Sequence, residues 1–182
     1  MTRDEAIELI RPALPAVVRG VWADFGAGRG TFTEALAALL PKDGAVIAVE
    51  RDPNCLSDLR RLASWAKGAR ILPQNGDVQD LPGIPALGEQ PLAGALFGNV
   101  LHYVPDPESV LTDLPPLMEP GSRIVVIEYD RRQASPWVPF PLPLKRLAEV
   151  AREAGLSAPR EVGRRDSRYQ GELYCAVMQV DE

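Results

Sequence analysis

An α/β domain built on a mostly parallel sheet is the fold the sequence predicts, and three observations predict it. Short apolar runs of strand length alternate with longer segments of helical period, the pattern of repeated strand-helix-strand units. The boundaries between them fall on Gly, Pro, Asp or Asn, which punctuate turns because of their special backbone preferences. A chain of 182 residues with 46% hydrophobic content can bury one sizeable core, and no internal repeat or low-complexity linker divides it. A single domain over residues 1–182 is therefore expected.

The elements follow in order. Residues 1–19 are expected to form one or two short helices broken by Pro12 and Pro15 ahead of the sheet, in a position to serve as a partial lid. Strands are expected at Gly20–Phe25, Ala45–Glu50, Ala69–Pro73, Gly94–Gly98 and Arg123–Glu128, with further runs around Pro159–Gly163 and Leu173–Val180. Thr31–Leu40 places Phe32, Ala35, Leu36, Leu39 and Leu40 on one stripe of a helix. Pro53–Lys67 reads as a second helix, with Pro53 tolerated in the first turn and Asp52 as its cap. Glu108–Met118 is a weaker helix, because Pro115-Pro116 must end or kink it, and Leu142–Ala154 closes at Gly155, suited to a left-handed stop. Leu81–Leu92 holds three prolines and two glycines and reads as loop.

Composition removes several function classes. Twenty basic against 25 acidic residues give a net charge of -5, so there is no overall electrostatic footprint for a polyanion and nucleic acid is a disfavoured partner. No run approaches a membrane span, and the charged start Met1-Thr2-Arg3-Asp4-Glu5 is unlike a secretory signal. The two cysteines, Cys55 and Cys175, lack metal-ligand spacing and are expected to be small buried hydrophobes, which suits the cytoplasm. No metal site is expected.

The residues that carry chemistry begin at Asp24-Phe25-Gly26-Ala27-Gly28-Arg29-Gly30, where the first strand runs into a glycine turn and then a helix. Glycines admit positive φ and let a ligand touch the backbone, while free N–H groups at the helix start face an anionic group. Glu50 ends the second strand twenty positions beyond Gly30, where a carboxylate can accept from ribose hydroxyls. A nicotinamide dehydrogenase would share both features. Its fingerprint, however, ends in Gly or Ala where Thr31 stands, and no second, substrate-binding domain follows.

Asn75-Gly76-Asp77-Val78 follows the third strand and Gly98-Asn99-Val100-Leu101-His102-Tyr103-Val104 the fourth. In this order, Asp24 with the glycine loop, Glu50, Gly76-Asp77-Val78 and Asn99-Val100-Leu101-His102 resemble the successive motifs of class I, Rossmann-like S-adenosylmethionine-dependent methyltransferases. The nearest type is the small-molecule group that includes the ubiquinone and menaquinone biosynthesis enzymes. The resemblance covers residues 18–130 well and the tail only in outline. It implies a doubly wound, mostly parallel seven-stranded sheet with helices on both faces and the last strand antiparallel. It also implies S-adenosylmethionine as cofactor and S-adenosylhomocysteine as product. Gly26, Ala27, Gly28 and Gly30 would cradle the methionine end, and Asp24 would help hold its ammonium group. Glu50 would bind the ribose and Arg51 or Asp52 would border the adenine. Asp77 would accept from the adenine amino group, the Val78 N–H would meet a ring nitrogen, and the backbone carbonyl of Asn99 would lie near the ammonium.

A sulfonium methyl group is already activated, so in-line positioning can suffice and a catalytic residue need not exist. Where a base helps, the candidates lie beyond the fourth and fifth strands. His102, the only histidine, is a base or a positioning donor, with packing under the cofactor or capping as its structural alternative. Glu128 is a base if burial raises its pKa. Tyr103 and Tyr129 are candidate acceptor contacts. Trp137 and Phe140, in a proline-dense stretch, either line an apolar acceptor pocket or pack on the core. Arg164-Arg165-Asp166-Ser167-Arg168-Tyr169 is the one local basic cluster, facing an anionic acceptor or solvent. The absence of an N-P-P-Y tetrapeptide after the fourth strand favours a small metabolite over a nucleic-acid base. A non-catalytic protein that keeps the cofactor pocket as a sensor or partner subunit remains the alternative from another class.

Overall fold

A computed structural model describes residues 1–131, 133–167 and 171–180. Seven strands form one sheet: β1 (Val21–Phe25), β2 (Ala45–Glu50), β3 (Arg70–Asn75), β4 (Leu92–Gly98), β5 (Met118–Tyr129), β6 (Arg160–Asp166) and β7 (Glu172–Gln179). Their order is β3-β2-β1-β4-β5-β7-β6. β1 to β5 run parallel, and β7 lies antiparallel between β5 and β6. The sheet is the doubly wound one expected.

Strand periodicity sends alternate side chains to opposite faces, and helices cover both because parallel strands are apolar on each side. Val21, Ala23 and Phe25 of β1 enter one core with Ile47, Phe97, Val126 and Tyr174. Helices α4 (Pro107–Thr112) and α5 (Leu144–Glu153) cover that side, burying Leu111, Leu147 and Val150 in it. Trp22, Val46, Ala48, Leu96 and Val125 point the other way. There they meet α1 (Arg3–Ile10), α2 (Thr31–Leu39) and α3 (Pro53–Trp65), through side chains such as Ile10, Leu36 and Leu59. The winding reverses between β1 and β4, so their carboxyl ends open a crevice, the usual ligand position in such sheets.

Several boundaries moved. β5 begins at Met118, before the expected Arg123, because Met118 pairs with Leu92 ahead of an irregularity that resumes at Gly94 and Arg123. Asp106 caps α4, which stops at Thr112 before Pro115 and Pro116 turn the chain through a 3-10 turn. Residues 81–92 contain no α-helix, as expected, but form two 3-10 turns that bury Leu81, Ile84 and Leu87 in the core. α5 is followed by Gly155 at φ 71°, the left-handed stop anticipated there. Cys175 is buried as expected, whereas Cys55 is only half-buried, since it lies off the Leu56-Leu59-Leu62 stripe that α3 turns to the core. The N-terminal segment packs on α2 and β6, and Arg123 Nη1 ties it down at the Ala13 carbonyl, 2.8 Å away. No helix of the described residues is long and apolar enough to cross a membrane.

Candidate functional site

β1 delivers the glycine loop to the crevice. Gly26 has φ +68°, and a Cβ there would lie 2.3 Å from Cγ2 of Val100, so the loop can pass the β4 exit only as glycine. Gly28, at φ +55°, faces open space. Behind the loop, Asp24 is buried and its Oδ2 accepts from Thr33 Oγ1 at 2.6 Å. This bond ties the end of β1 to the first turn of α2.

Burial lifts the Asp24 carboxyl from 3.8 to about 7, with the Thr33 hydrogen bond opposing and the charge of Glu50 adding to the rise. The folded state therefore holds a proton that the unfolded state has lost between those pH values. The stability contributed is fully present below pH 4 and is lost as pH rises through 7. Asp24→Asn keeps an acceptor for Thr33 and removes this titration. Denaturant unfolding at pH 5 and pH 8 should show the wild type losing about 3 kcal/mol relative to the variant, because each tenfold fall in proton activity up to about pH 7 removes ~1.4 kcal/mol. Parallel pH dependences would refute this account of Asp24.

Glu50 joins two turns. Its Oε2 accepts from Gly28 N at 2.8 Å, while Oε1 accepts from Arg51 N at 2.8 Å and Asp52 N at 2.9 Å. Asp52 in turn caps α3 through Asn54 N. Asp77 accepts from Gln79 N at 3.0 Å and pairs with Arg51 at 2.9 Å. Its carboxyl is held below the ordinary value first by the Gln79 backbone hydrogen bond, with burial opposing and Arg51 assisting.

These groups surround a cavity of about 280 Å³ lined by Gly26, Gly28, Glu50, Arg51, Asp77 and Val78, with Asn99 at its end. Gly76, Gln79, Val100, Tyr103 and Val104 complete it. Three residues expected at the cofactor do not line this wall: Asp24 lies beneath it, Ala27 is buried, and Gly30 packs under Leu59 and Leu62 of α3. They shape the loop from behind. Asn99 adopts φ 57°, and its Oδ1 is buried without a hydrogen-bond partner among the described residues. A buried acceptor left open costs free energy until a donor arrives.

A second cavity, about 550 Å³, shares Asn99 and Tyr103 with the first and is otherwise lined by His102, Tyr129, Arg131, Trp137 and Val138. The structure unites the two expected base candidates here. His102 Nδ1 lies 2.7 Å from Glu128 Oε2, and both side chains are buried. Glu128 Oε1 accepts from the His102 backbone N–H at 3.2 Å, and Oε2 accepts from Tyr129 N at 3.3 Å. With Glu128 as the acceptor, Nδ1 donates and Nε2 is the ring nitrogen left for the cavity. The imidazole also packs on Tyr103 and Tyr129, with centroids 4.2 and 5.6 Å away.

Trp137 takes the pocket alternative considered for it, while Phe140 does not line the cavity; its N–H donates to the His102 carbonyl at 3.0 Å. The basic cluster is not a free cationic patch. Arg164 is held by Glu161, Asp130 and Glu172, and Arg165 by Glu5, whereas Arg168 and Tyr169 lie outside the described residues. Gly76 and Gln79 were legible as neighbours of Asp77, but Arg131 and Val138 carried no motif. No cluster of three or more potential metal ligands occurs among the described residues.

No curated protein matches the chain. Many solved structures share its fold, and three serve as examples. The arsenic(III) S-adenosylmethionine methyltransferase CrArsM of Chlamydomonas reinhardtii is 16% identical, with 99% of this chain and 73% of that one covered and a TM-score of 0.73. The YcgJ protein of Bacillus subtilis is 10% identical over 98% and 99%, with a TM-score of 0.76. The N-methyltransferase NodS of Bradyrhizobium japonicum WM9 is 16% identical over 99% and 96%, at 0.73. The methyltransferase-domain family matches residues 21–164. With that match on the strand-loop-helix and the motifs at the ends of β2, β3 and β4, the chain belongs to the methyltransferase-domain family, as a class I, Rossmann-like S-adenosylmethionine-dependent methyltransferase.

Proposed function

We propose that the protein methylates a small molecule, with the donor in the first cavity and the acceptor in the second. The observation that carries this reading is that the two cavities meet at Asn99 and Tyr103, with the His102–Glu128 pair on the acceptor side. The donor supplies an electrophilic methyl on a sulfonium. Gly26 and Gly28 admit its methionine end against the backbone, above Ala27, Gly30 and Asp24. The open Oδ1 of Asn99 fits its ammonium group. Glu50 takes the ribose hydroxyls, Arg51 borders the adenine, and Asp77 with the Val78 N–H reads the adenine edge.

On the acceptor side, Tyr103 and Tyr129 hold the acceptor and His102 Nε2 receives its proton, while Glu128 fixes the ring and stabilises the imidazolium. Positioning in line contributes beside this base. A cavity with an aromatic wall suits a metabolite better than a nucleic-acid strand, in keeping with the net charge of -5. The free thiols Cys55 and Cys175 fit a cytoplasmic setting.

Titration with S-adenosylhomocysteine and with NAD tests the donor reading. The expected result is saturable binding of the first and none of the second; the reverse would sink it. Formation of S-adenosylhomocysteine when acceptors are supplied then separates an enzyme from a sensor.

A further inference from the structure

We infer that the acceptor is an aromatic hydroxy acid: a planar ring whose hydroxyl is methylated at His102 and whose carboxylate pairs with Arg131. This rests on the donor and acceptor cavities being used as proposed, and it adds the substrate class.

The first observation is the charge on the wall. Arg131 lines the second cavity just beyond β5, and its guanidinium has no ion-pair or hydrogen-bond partner among the described residues. Neighbouring arginines are neutralised. Arg164 collects Asp130, Glu161 and Glu172, Arg165 takes Glu5, and Arg51 takes Asp77. Asp130, next to Arg131 in sequence, is thus already paired, and none of the described residues that line this cavity is a carboxylate. The Arg131 N–H donates to the Tyr129 carbonyl at 2.8 Å, which sets where its side chain leaves the chain at the exit of β5. A guanidinium fork matches a carboxylate in two parallel hydrogen bonds.

The second observation is the rest of the wall. Tyr103, Tyr129 and Trp137 are large aromatics around one space, and Trp137 is 79% and Tyr103 47% exposed. Aromatic faces left open to water gain most from a flat apolar partner, through area burial and offset stacking. The third is the dyad. A buried carboxylate holding one imidazole nitrogen prepares the other to take a proton, which a phenolic hydroxyl has to give and a thioether or tertiary amine lacks. In the transfer, the phenolic oxygen bonds to the methyl carbon as the carbon–sulfur bond breaks with its electron pair left on sulfur, and the hydroxyl proton passes to His102 Nε2.

The test is a calorimetric titration of the S-adenosylhomocysteine-bound protein with 2-, 3- and 4-hydroxybenzoate, with phenol, and with the methyl esters of the three acids. The same compounds are then assayed with S-adenosylmethionine. At least one acid should bind about tenfold or more tighter than phenol and its own ester, the scale of one charge-assisted pair. That acid should yield the methoxybenzoate. Arg131→Gln should erase the advantage, Arg131→Lys should restore part of it, and both should leave S-adenosylhomocysteine affinity unaltered. Equal binding of acid and phenol, no binding of any acid by about 10 mM, or indifference to Arg131→Gln would each overturn the inference. Failure to bind S-adenosylhomocysteine would instead strike the donor reading.

Discussion

Glu50→Ala should weaken S-adenosylhomocysteine binding by about 10²- to 10³-fold, since the proposed hydrogen bonds from the ribose hydroxyls to this carboxylate would contribute about 3–4 kcal/mol. Three backbone N–H groups, those of Gly28, Arg51 and Asp52, lose their acceptor in the same substitution. The glycine loop and the β2–α3 turn then separate, so the melting temperature should fall as well. Calorimetric titration and thermal unfolding on the same samples keep the two effects apart. A carboxylate offers about four acceptor sites, and the backbone takes three of them; a bound ribose must share with or displace the Gly28 N–H. Glu50 already joins the glycine loop to the β2–α3 turn, and the proposed ribose contact would couple the cofactor to both through one side chain. Unaltered affinity in a folded variant would remove the ribose assignment.

His102→Ala should lower kcat by about 10²- to 10⁴-fold, the range that a positioned general base supplies. S-adenosylhomocysteine affinity should stay within about twofold, because His102 lines only the second cavity. Glu128→Gln should cost less, about 10- to 10²-fold, by loosening the imidazole without removing it. The loss in His102→Ala should also shrink for acceptors whose hydroxyl is already ionised at the assay pH, an outcome that mere support of the cavity wall would not produce. If kcat changes by only a few-fold in a folded variant, in-line positioning carries the reaction and the base assignment fails.

Most of the cavity proposed for the donor was legible because its residues are local to strand ends. Short continuous apolar runs mark the segments that enter the sheet, and ligand groups collect in the turns at the carboxyl ends of those strands. Gly26, Gly28 and Glu50 were identifiable on that logic, Arg51, Asp77, Val78 and Asn99 through the family resemblance, and all line one cavity. Boundaries fared worse where pairing overrode local preference, as in the early start of β5 at Met118 opposite Leu92. Residues 81–92 were readable as proline-broken chain, but the burial of Leu81, Ile84 and Leu87 in the core was not, since it depends on residues distant in sequence.

The second cavity, proposed for the acceptor, shows the division most clearly. By itself, the sequence determined the fold class, the glycine loop and the candidates His102, Tyr103, Glu128 and Tyr129. Only the tertiary structure decided that His102 and Glu128, 26 positions apart, meet at 2.7 Å. It also gathered Arg131, Trp137 and Val138 around them while ion pairing neutralised Arg164 and Arg165. The physical reason is the register of β4 against β5. Parallel pairing of Gly98 with Ile127 brings the two strand exits side by side, and no local pattern in either segment encodes that partnership.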